Sequence, residues 1–347
     1  MKPMHFVTLA IVALVSVALA LTSYAANNTW TPGRVTGARM FPALASNAGN
    51  VAAIELRQGT KQLTIEKADS GWRLKERGGY PVPADKVRAL MVSLAEADLV
   101  AAKTRVADRY GLIDLEDPTG AAAKSRSVRL LDAKGGVIAE AVVGKKRGDA
   151  FGFGKVGTYV RKPGDAQTWL ANVEVDASAD LKGWIKTDVF QVDSSKVSRV
   201  TIEIPGEQPL KVERGADKKL AVLGIPPGLK LKDEGAGDAI ARAAAYVDFD
   251  DVRKLPAGAA PKDASTVKLE AENGPTVSLR LRKDGDAQWL TVTATGEGDA
   301  KKVADDITAR TAGWEYQIGK SKADSLLKRR SDLLEKIPEP KPEGQRP

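Results

Sequence analysis

The feature that most constrains this chain is a series of short structural patterns that occurs twice in the same order. Apolar and polar residues alternate over 51–57 and 62–67 on either side of Gly59, which predicts a β-hairpin. In the second half, 202–204 and 210–213 form a similar pair with nearly the same separation. The two halves therefore begin with the same kind of unit.

Each half continues with a helix and further strands. Apolar residues at i, i+3, i+4 and i+7 predict a helix over 82–97, and a helical stretch over 237–246 takes the corresponding place. Trp169 near the end of the first half matches Trp314 in the second. This shared order predicts an α+β fold, made by tandem duplication of a unit with a mainly antiparallel sheet and one or two packing helices.

The patterns also predict the domain boundaries. We assign the first copy to 51–190 and the second copy to 191–336. Residues 26–50 are rich in Asn, Thr, Gly and Ala and are interpreted as a spacer. The last stretch, 337–347, is rich in proline and charge, which is typical of a disordered tail.

The N-terminal segment predicts export. An uncharged, largely apolar run over 6–22 follows Lys2 and precedes Ser23 and Ala25, whose small side chains have the spacing that signal peptidase recognises. Residues 1–25 are then either a signal peptide cleaved near Ala25 or an uncleaved inner-membrane anchor helix over 6–22. Both alternatives place the rest of the chain in the periplasm.

Composition excludes several classes of site. The chain has no cysteine, which excludes disulfides and thiolate metal centres, and its one histidine, His5, lies in the N-terminal segment. The net charge of +8 comes from Lys and Arg interspersed with Asp and Glu, without an arginine-rich helix or an RNA-binding motif. We therefore expect no nucleic acid, although weak attraction to an anionic envelope component is compatible with this charge.

Sequence motifs do not predict an enzyme. The glycine-rich run 152–157 lacks a following amphipathic helix and is interpreted as a turn, not a phosphate-binding loop. Ser194, Ser195 and Lys196 could form a Ser-Lys dyad, but they lie in the predicted link between copies, where a solvated turn is the simpler interpretation.

Two groups of acidic residues are candidates for a carboxylate pair or a calcium site, Asp248, Asp250 and Asp251 in one and Asp305 and Asp306 in the other. The first group lacks the spaced oxygen ligands, the glycine and the terminal glutamate of an EF-hand loop. We interpret them as solvated or capping acids, and predict no catalytic, cofactor or metal residues. A pair of carboxylates from distant positions, acting as in a hydrolase, stays open as an alternative.

Aromatic residues fall mainly on predicted strands or at element ends, which favours core packing over a sugar-stacking platform. They are Trp72, Tyr80, Trp169, Trp184, Trp289 and Trp314.

Several short elements resemble a bacterial family, the domain of unknown function numbered 4340. The segments that carry the resemblance include 71–74, 80–82, 109–112, 143–145 and 159–161. The likeness extends over most of the chain from Phe41 to Leu334. It implies a membrane-associated extracytoplasmic protein that accompanies ABC transporters similar to gliding-motility systems, and it implies no catalytic residues.

These features together predict a non-catalytic periplasmic or membrane-anchored accessory protein. The expected partner is an inner-membrane complex, with ABC transporter subunits as the candidates that the resemblance implies. The alternatives are a periplasmic binding module for an anionic glycan or lipid headgroup, motivated by the positive charge and the tryptophans, and a carboxylate-based hydrolase.

Overall fold

The computed structural model describes residues 16–17, 22, 37–256 and 264–337. All but three residues of the predicted signal peptide or anchor segment, residues 26–36 of the predicted spacer and all but the first residue of the predicted tail lie outside the described residues. Among the helices within those described ranges, none is long and apolar enough to cross a membrane.

The first half of the chain contributes ten strands and two α-helices to the described structure. The strands are β1 (Ala38–Arg39), β2 (Ala53–Gln58), β3 (Lys61–Ala68), β4 (Gly71–Leu74), β5 (Tyr80–Val82), β6 (Asp98–Ala102), β7 (Arg126–Leu131), β8 (Val137–Arg147), β9 (Gly157–Arg161) and β10 (Thr168–Ala171). The helices are α1 (Leu44–Asn47) and α2 (Ala84–Glu96).

The second half contributes twelve described strands and four α-helices. The strands are β11 (Asp188–Gln191), β12 (Val197–Glu203), β13 (Leu210–Arg214), β14 (Leu220–Val222), β15 (Leu229–Leu231), β16 (Tyr246–Asp248), β17 (Asp251–Lys254), β18 (Ser265–Ala271), β19 (Thr276–Asp284), β20 (Ala287–Thr295), β21 (Trp314–Ile318) and β22 (Leu334–Lys336). The helices are α3 (Ala236–Ala245), α4 (Asp299–Thr311), α5 (Lys320–Leu326) and α6 (Arg330–Leu333). The chain is thus an α+β protein, as predicted.

Contacts divide the chain into two units. The first comprises the described residues up to Gln62 and the segment from Asp85 to Ala179, and the second comprises 63–84 and the described residues from Asp180 onward. This division differs from the predicted boundaries, because it groups the early segment 63–84 with the residues from Asp180 onward.

The first unit contains an antiparallel run of seven strands in the order β1-β6-β10-β9-β8-β7-β2. Its inward residues include Ile54 and Leu56 on β2 and Val128 and Leu130 on β7, all at most 1% exposed. The alternation seen in the sequence thus corresponds to one buried and one solvated sheet face.

The second unit contains an antiparallel sheet of eight strands in the order β14-β13-β12-β18-β19-β20-β21-β17. It also contains the antiparallel meander β3-β4-β5 and the two-stranded pairs β11-β16 and β15-β22. Helix α3 is buried along Ile240, Ala241, Ala244 and Ala245, where small side chains allow close approach to the sheet.

Six strands have the same order in both units. In the first unit the order is β6-β10-β9-β8-β7-β2, and in the second it is β17-β21-β20-β19-β18-β12. A 3₁₀ turn precedes the opening strand in each case, over Ala48–Asn50 before β2 and over Ser194–Lys196 before β12. The helix that follows the opening strands, α2 or α3, takes the same place in chain order.

Most elements predicted from periodicity are confirmed. Helix α2 buries Val87, Leu90 and Leu94, which lie at the predicted spacing. Strands β7 and β8 pair on either side of the turn at Gly135, and β9 pairs with β10 across the turn at Gly164.

Two regions differ from the sequence predictions. Residues 37–50, assigned to the spacer, contain β1 and α1, and Met40 and Leu44 are each 1% exposed there. Helix α4 was not predicted, because its buried face consists largely of small or polar residues such as Ala300, Ala304 and Thr311.

An aromatic cluster holds 63–84 within the second unit. The Tyr80 ring packs edge-on against Trp314 at 4.9 Å between centroids, Phe249 at 6.1 Å and Tyr316 at 6.4 Å. Nearby, Arg77 Nε donates to Asp251 Oδ1 at 2.5 Å. T-shaped ring pairs add to the stabilisation that comes from burying apolar area.

We expect Tyr80→Ala to lower the free energy of unfolding of the second unit by about 3 kcal/mol, because it removes three ring contacts and leaves a cavity. Urea titration followed by tryptophan fluorescence measures this loss. Tyr246→Ala is the matched control, since that ring is 40% exposed. Equal effects of the two substitutions would contradict the role given to the cluster.

The ring cluster also affects the ionisation of two phenol groups, those of Tyr80 and Tyr316. Burial, reinforced by the neighbouring Tyr80, raises the pKa of Tyr316 well above its ordinary value, and burial also raises the pKa of Tyr80. A raised folded-state pKa means that both phenols stay neutral in the folded protein and ionise more readily once the chain unfolds. Stability is therefore complete below the ordinary tyrosine pKa of about 10 and is lost as pH rises beyond it.

We expect phenolate absorbance to show two tyrosines that ionise only together with unfolding in alkali. Tyr316→Phe should remove one of these two transitions and weaken the alkaline loss of stability. Six tyrosines that all titrate near their ordinary pKa while circular dichroism stays native would show that these hydroxyls are accessible to solvent.

Candidate functional site

A polar groove lies on the solvated sheet face of the first unit. It has a volume of about 480 Å³ and is lined by residues of β2, β7, β8 and β9 and of the loops beside them. Six charged side chains face it, three cations and three carboxylates. They are Arg57, Arg129, Arg161, Glu55, Asp117 and Glu140.

Arg129 stands at the centre of this groove between two carboxylates. Its Nη1 donates to Glu55 Oε2 at 2.8 Å, and its Nε lies 3.6 Å from Glu140 Oε1. The strand register explains the arrangement, because both glutamates are direct cross-strand neighbours of Arg129. The sheet therefore forms a Glu–Arg–Glu triad from residues far apart in sequence.

The other charges of this groove are held by local contacts. Arg57 Nε donates to the carbonyl of Gly59 at 3.3 Å, and the Arg161 guanidinium lies over the Tyr110 ring at 4.9 Å. Hydrogen bonds from the backbone and then the side chain of Thr119 lower the pKa of Asp117. The groove thus presents charged groups whose positions are set before any partner binds.

A second groove of about 460 Å³ lies on the sheet of the second unit, along β12, β13, β18 and β19. It is lined by three cations and three carboxylates as well, which are Arg199, Lys211, Lys268, Glu203, Glu213 and Glu270. Arg199 Nε donates to Glu213 Oε1 at 2.6 Å, and its Nη1 donates to Glu270 Oε2 at 3.4 Å. The second groove therefore contains its own Glu–Arg–Glu triad.

The carboxylates of both triads are engaged with the central arginine. Glu55 accepts a hydrogen bond from Arg129, and Glu213 and Glu270 accept from Arg199. Both grooves therefore present charges of both signs in fixed positions.

A buried carboxylate in the second unit was missed by the sequence analysis. Glu315 on β21 is 1% exposed and accepts from Arg253 Nε at 2.9 Å and from Arg282 Nε at 2.6 Å. The Arg253 guanidinium also lies over the Trp289 ring at 3.7 Å and pairs with Asp284 at 2.6 Å. Three strands bring these charges together, so a local motif could not have identified them.

We expect Glu315→Ala to lower the free energy of unfolding by about 3 kcal/mol, because it leaves two partly buried guanidiniums without their shared acceptor. Asp305→Ala is the matched control, since its ion pair with Lys301 is exposed and should contribute less than about 1 kcal/mol. Thermal unfolding of both variants tests the difference. A loss at Glu315 as small as that at Asp305 would contradict a structural role for the buried pair.

The structure places the candidate nucleophiles in a capped turn. Ser194, Ser195 and Lys196 form a 3₁₀ turn, and Asp193 Oδ1 accepts from both the amide and the hydroxyl of Ser195, at 2.9 and 2.7 Å. The interpretation as a turn is confirmed.

Four of the five acidic candidates are paired with cations. Asp250 accepts from Lys182 at 2.6 Å, Asp251 accepts from Arg77, and Asp306 accepts from Arg310 at 3.0 Å. Asp305 accepts from Lys301 at 2.7 Å, and Asp248 is exposed on β16. In the part of the chain that the structure describes, no group of three or more Asp, Glu or His side chains is arranged to hold a metal ion.

The aromatic candidates divide into buried and half-buried rings. Trp184 and Trp289 are 4% and 7% exposed, and Trp314 belongs to the ring cluster around Tyr80, so core packing is confirmed for these residues. Trp72 and Trp169 are half-buried on β4 and β10.

Comparison with protein families gives one match. The model described as "Domain of unknown function (DUF4340)" matches residues 72–271, from β4 to β18, which is more than half of the chain. No curated protein matches the chain. No solved structure matches it either.

Proposed function

The chain belongs to the family described as domain of unknown function DUF4340, and on that premise we propose that it is a non-catalytic accessory protein of an envelope complex. Its two charged grooves are the surfaces that bind a protein partner. The complex is an inner-membrane assembly of the ABC-transporter type, in line with what the family resemblance implies. The protein works in the periplasm, either released after cleavage near Ala25 or anchored by 6–22.

Tandem duplication is part of this proposal. The same order of six strands in both units, with a 3₁₀ turn before each opening strand, supports descent from one ancestral unit. Trp169 and Trp314, which the sequence analysis matched, lie on the corresponding strands β10 and β21. A duplicated protein can offer two similar faces to a partner that is itself made of paired subunits.

The balance of charge in the grooves favours a protein as the partner. Each groove has three cations and three carboxylates among its lining residues, so neither has a net charge that would attract a polyanion. Mixed charges held in fixed positions favour a protein surface with a complementary pattern. The grooves therefore favour an accessory role over binding of an anionic glycan.

The acids beside the two central arginines favour an accessory role over the hydrolase alternative. Glu55 and Glu140 flank Arg129, and Glu213 and Glu270 flank Arg199. A hydrolase of this type needs two carboxyl groups that flank the substrate, within about 5 to 10 Å of each other. Here an arginine lies between the two acids of each triad and is paired with them.

Site-specific crosslinking in membranes tests the proposal. A photoactivatable residue at Gln62 in the first groove, or at Ser278 in the second, should crosslink to a subunit of a membrane transport complex. The same residue at Lys302, exposed on α4, is the matched control and should yield no such adduct. If neither groove position gives an adduct above that control, the grooves are not the docking surfaces.

Charge reversal supplies a quantitative prediction. Arg57→Glu should reduce recovery of the complex from gently solubilised membranes about tenfold, because it places a repulsive charge in a pre-organised groove. Lys302→Glu makes the same change of charge on an exposed helix and should leave recovery unchanged. Equal recovery with both variants would remove the electrostatic basis of the proposal.

A further inference from the structure

Strands β8 and β9 of the first unit extend beyond the neighbouring strand β7. The pairing of β7 with β8 ends at Arg126 opposite Val143. Strand β8 continues, with Lys146 opposite Thr158 and Arg147 opposite Gly157 on β9. Residues 145–147 of β8 thus extend past β7, while β9 stays paired with β10 as far as Thr158 opposite Ala171. We use the name projection for 145–147 together with the loop 148–156.

A bulge turns three consecutive cations of this projection towards solvent. The register of β8 against β9 shifts between Val143 and Lys146. In a regular strand, alternate residues would face opposite sides, but Lys145, Lys146 and Arg147 are all exposed. The bulge thus concentrates positive charge next to the loop.

The loop itself has a defined conformation. Asp149 Oδ1 accepts from the amide of Gly154 at 2.7 Å, and the amide of Lys155 donates to the carbonyl of Gly152 at 3.0 Å. Gly152 and Gly154 have φ angles of 105° and 73°, which side-chain-bearing residues rarely adopt. The tip is therefore held in one shape by its own hydrogen bonds.

This shape buries one phenylalanine and exposes another. Phe151 is 6% exposed, and its ring lies so close to Gly157 that a Cβ there would stand 2.9 Å from the Phe151 Cε2 atom. Phe153, two residues later, is 100% exposed. Burial of Phe151 fixes the loop, whereas the exposed Phe153 ring contributes no burial to folding.

A second exposed apolar side chain lies beside the bulge. The carbonyl of Leu112 accepts from Lys145 Nζ at 2.6 Å, and the Leu112 residue is 69% exposed. The 3₁₀ turn that contains it, Ala107–Ile113, approaches β8 at Gly144, where a Cβ would collide with the carbonyl of Ile113. Close contact between the turn and the bulge thus places Leu112 next to the basic end of β8.

We propose that Phe153, Leu112 and the surrounding cations form a contact site for an anionic lipid bilayer. Phe153 and Leu112 enter the headgroup region, while Lys145, Arg147 and Lys155 face lipid phosphates. Asp149 accepts from the amide of Gly154 and keeps its negative charge, and Glu174 pairs with Lys146 at 2.7 Å. The four cations of 145–155 outnumber these two carboxylates, so this end of the strand pair has a net positive charge.

A bilayer fits this surface better than a protein does. Protein hot spots consist of clustered anchors with satisfied polar groups around them, whereas here a single ring projects from a narrow tip. A bilayer accepts an isolated ring at any lateral position and supplies phosphates all around it. The proposal concerns the β8–β9 projection only and does not depend on the grooves.

The absence of cysteine allows a site-specific test in the full chain. Phe153→Cys carries an environment-sensitive nitrobenzoxadiazole label, and Lys134→Cys carries the same label as the control. Lys134 lies in the turn at the opposite end of β8, about 30 Å away at the rise of an extended strand. Both proteins are mixed with vesicles rich in phosphatidylglycerol and with vesicles of phosphatidylcholine alone.

We expect the label at 153 to brighten and shift to the blue only with the anionic vesicles, and the label at 134 to stay unchanged with both. The predicted apolar segment 6–22 is common to both proteins, so it cannot produce a difference between the positions. Doxyl lipids should quench the label at 153, and high salt should reverse its response. A label at 153 that stays dark, or that responds equally to neutral vesicles, would overturn the proposal.

Charge variants give the second readout. Arg147→Gln and Lys155→Gln, introduced with the label at 153, should each weaken the response to anionic vesicles about fivefold. Lys302→Gln on α4 is the matched control and should leave the response unchanged. A label that responds to extracted membrane protein but not to lipid alone would assign the projection to protein docking and reject the bilayer contact.

Discussion

The Tyr80 ring packs among Phe249, Trp314 and Tyr316, and the second unit depends on this contact between segments far apart in the chain. Strand β5, which carries Tyr80, lies against β17, and β17 pairs with β21. The same two strands position Arg253 opposite the buried Glu315. The β17–β21 pair is therefore stabilised in two ways. The Tyr80 ring packs against it from β5, and the Arg253–Glu315 ion pair joins its two strands.

These contacts explain why the two compact units do not coincide with the two repeats along the sequence. Residues 63–84 come before or at the start of helix α2 in the chain, yet the Tyr80 ring packs against Phe249, Trp314 and Tyr316, and Arg77 pairs with Asp251. Loop-closure entropy rises slowly with length, so a connection of this length is energetically acceptable if the contacts are strong. The boundaries of the repeated strand order therefore differ from the boundaries of the compact units.

Sequence periodicity predicted the elements whose buried face is made of large apolar residues. Helix α2 and the β7–β8 hairpin were found in this way, because Val87, Leu90, Val128 and Leu130 have the spacing of one buried face. Helix α4 was not predicted because alanine and threonine form most of its buried face. Near the N-terminus, Met40 and Leu44 are two isolated buried positions, which are too few to give a period.

The charged site could not be predicted for a different reason. Glu55, Arg129 and Glu140 become neighbours only through the pairing of three strands, and Glu315 meets Arg282 across two others. Each of these residues alone resembles the solvated charges found throughout the chain. The strand register decides which of these charges form a network. A single sequence specifies that register only through its hydrophobic pattern.

One strand connects the groove of the first unit to the projecting loop. In the regular part of β8, alternation directs Glu140 towards the groove while Ala139 and Ala141 are buried. Beyond Val143 the bulge ends this alternation, and every side chain from Lys145 to Arg147 becomes exposed. The groove lies where β8 is paired with β7, whereas the exposed cations follow the end of that pairing. The irregularity between Val143 and Lys146 thus separates the charged groove from the basic end of the strand.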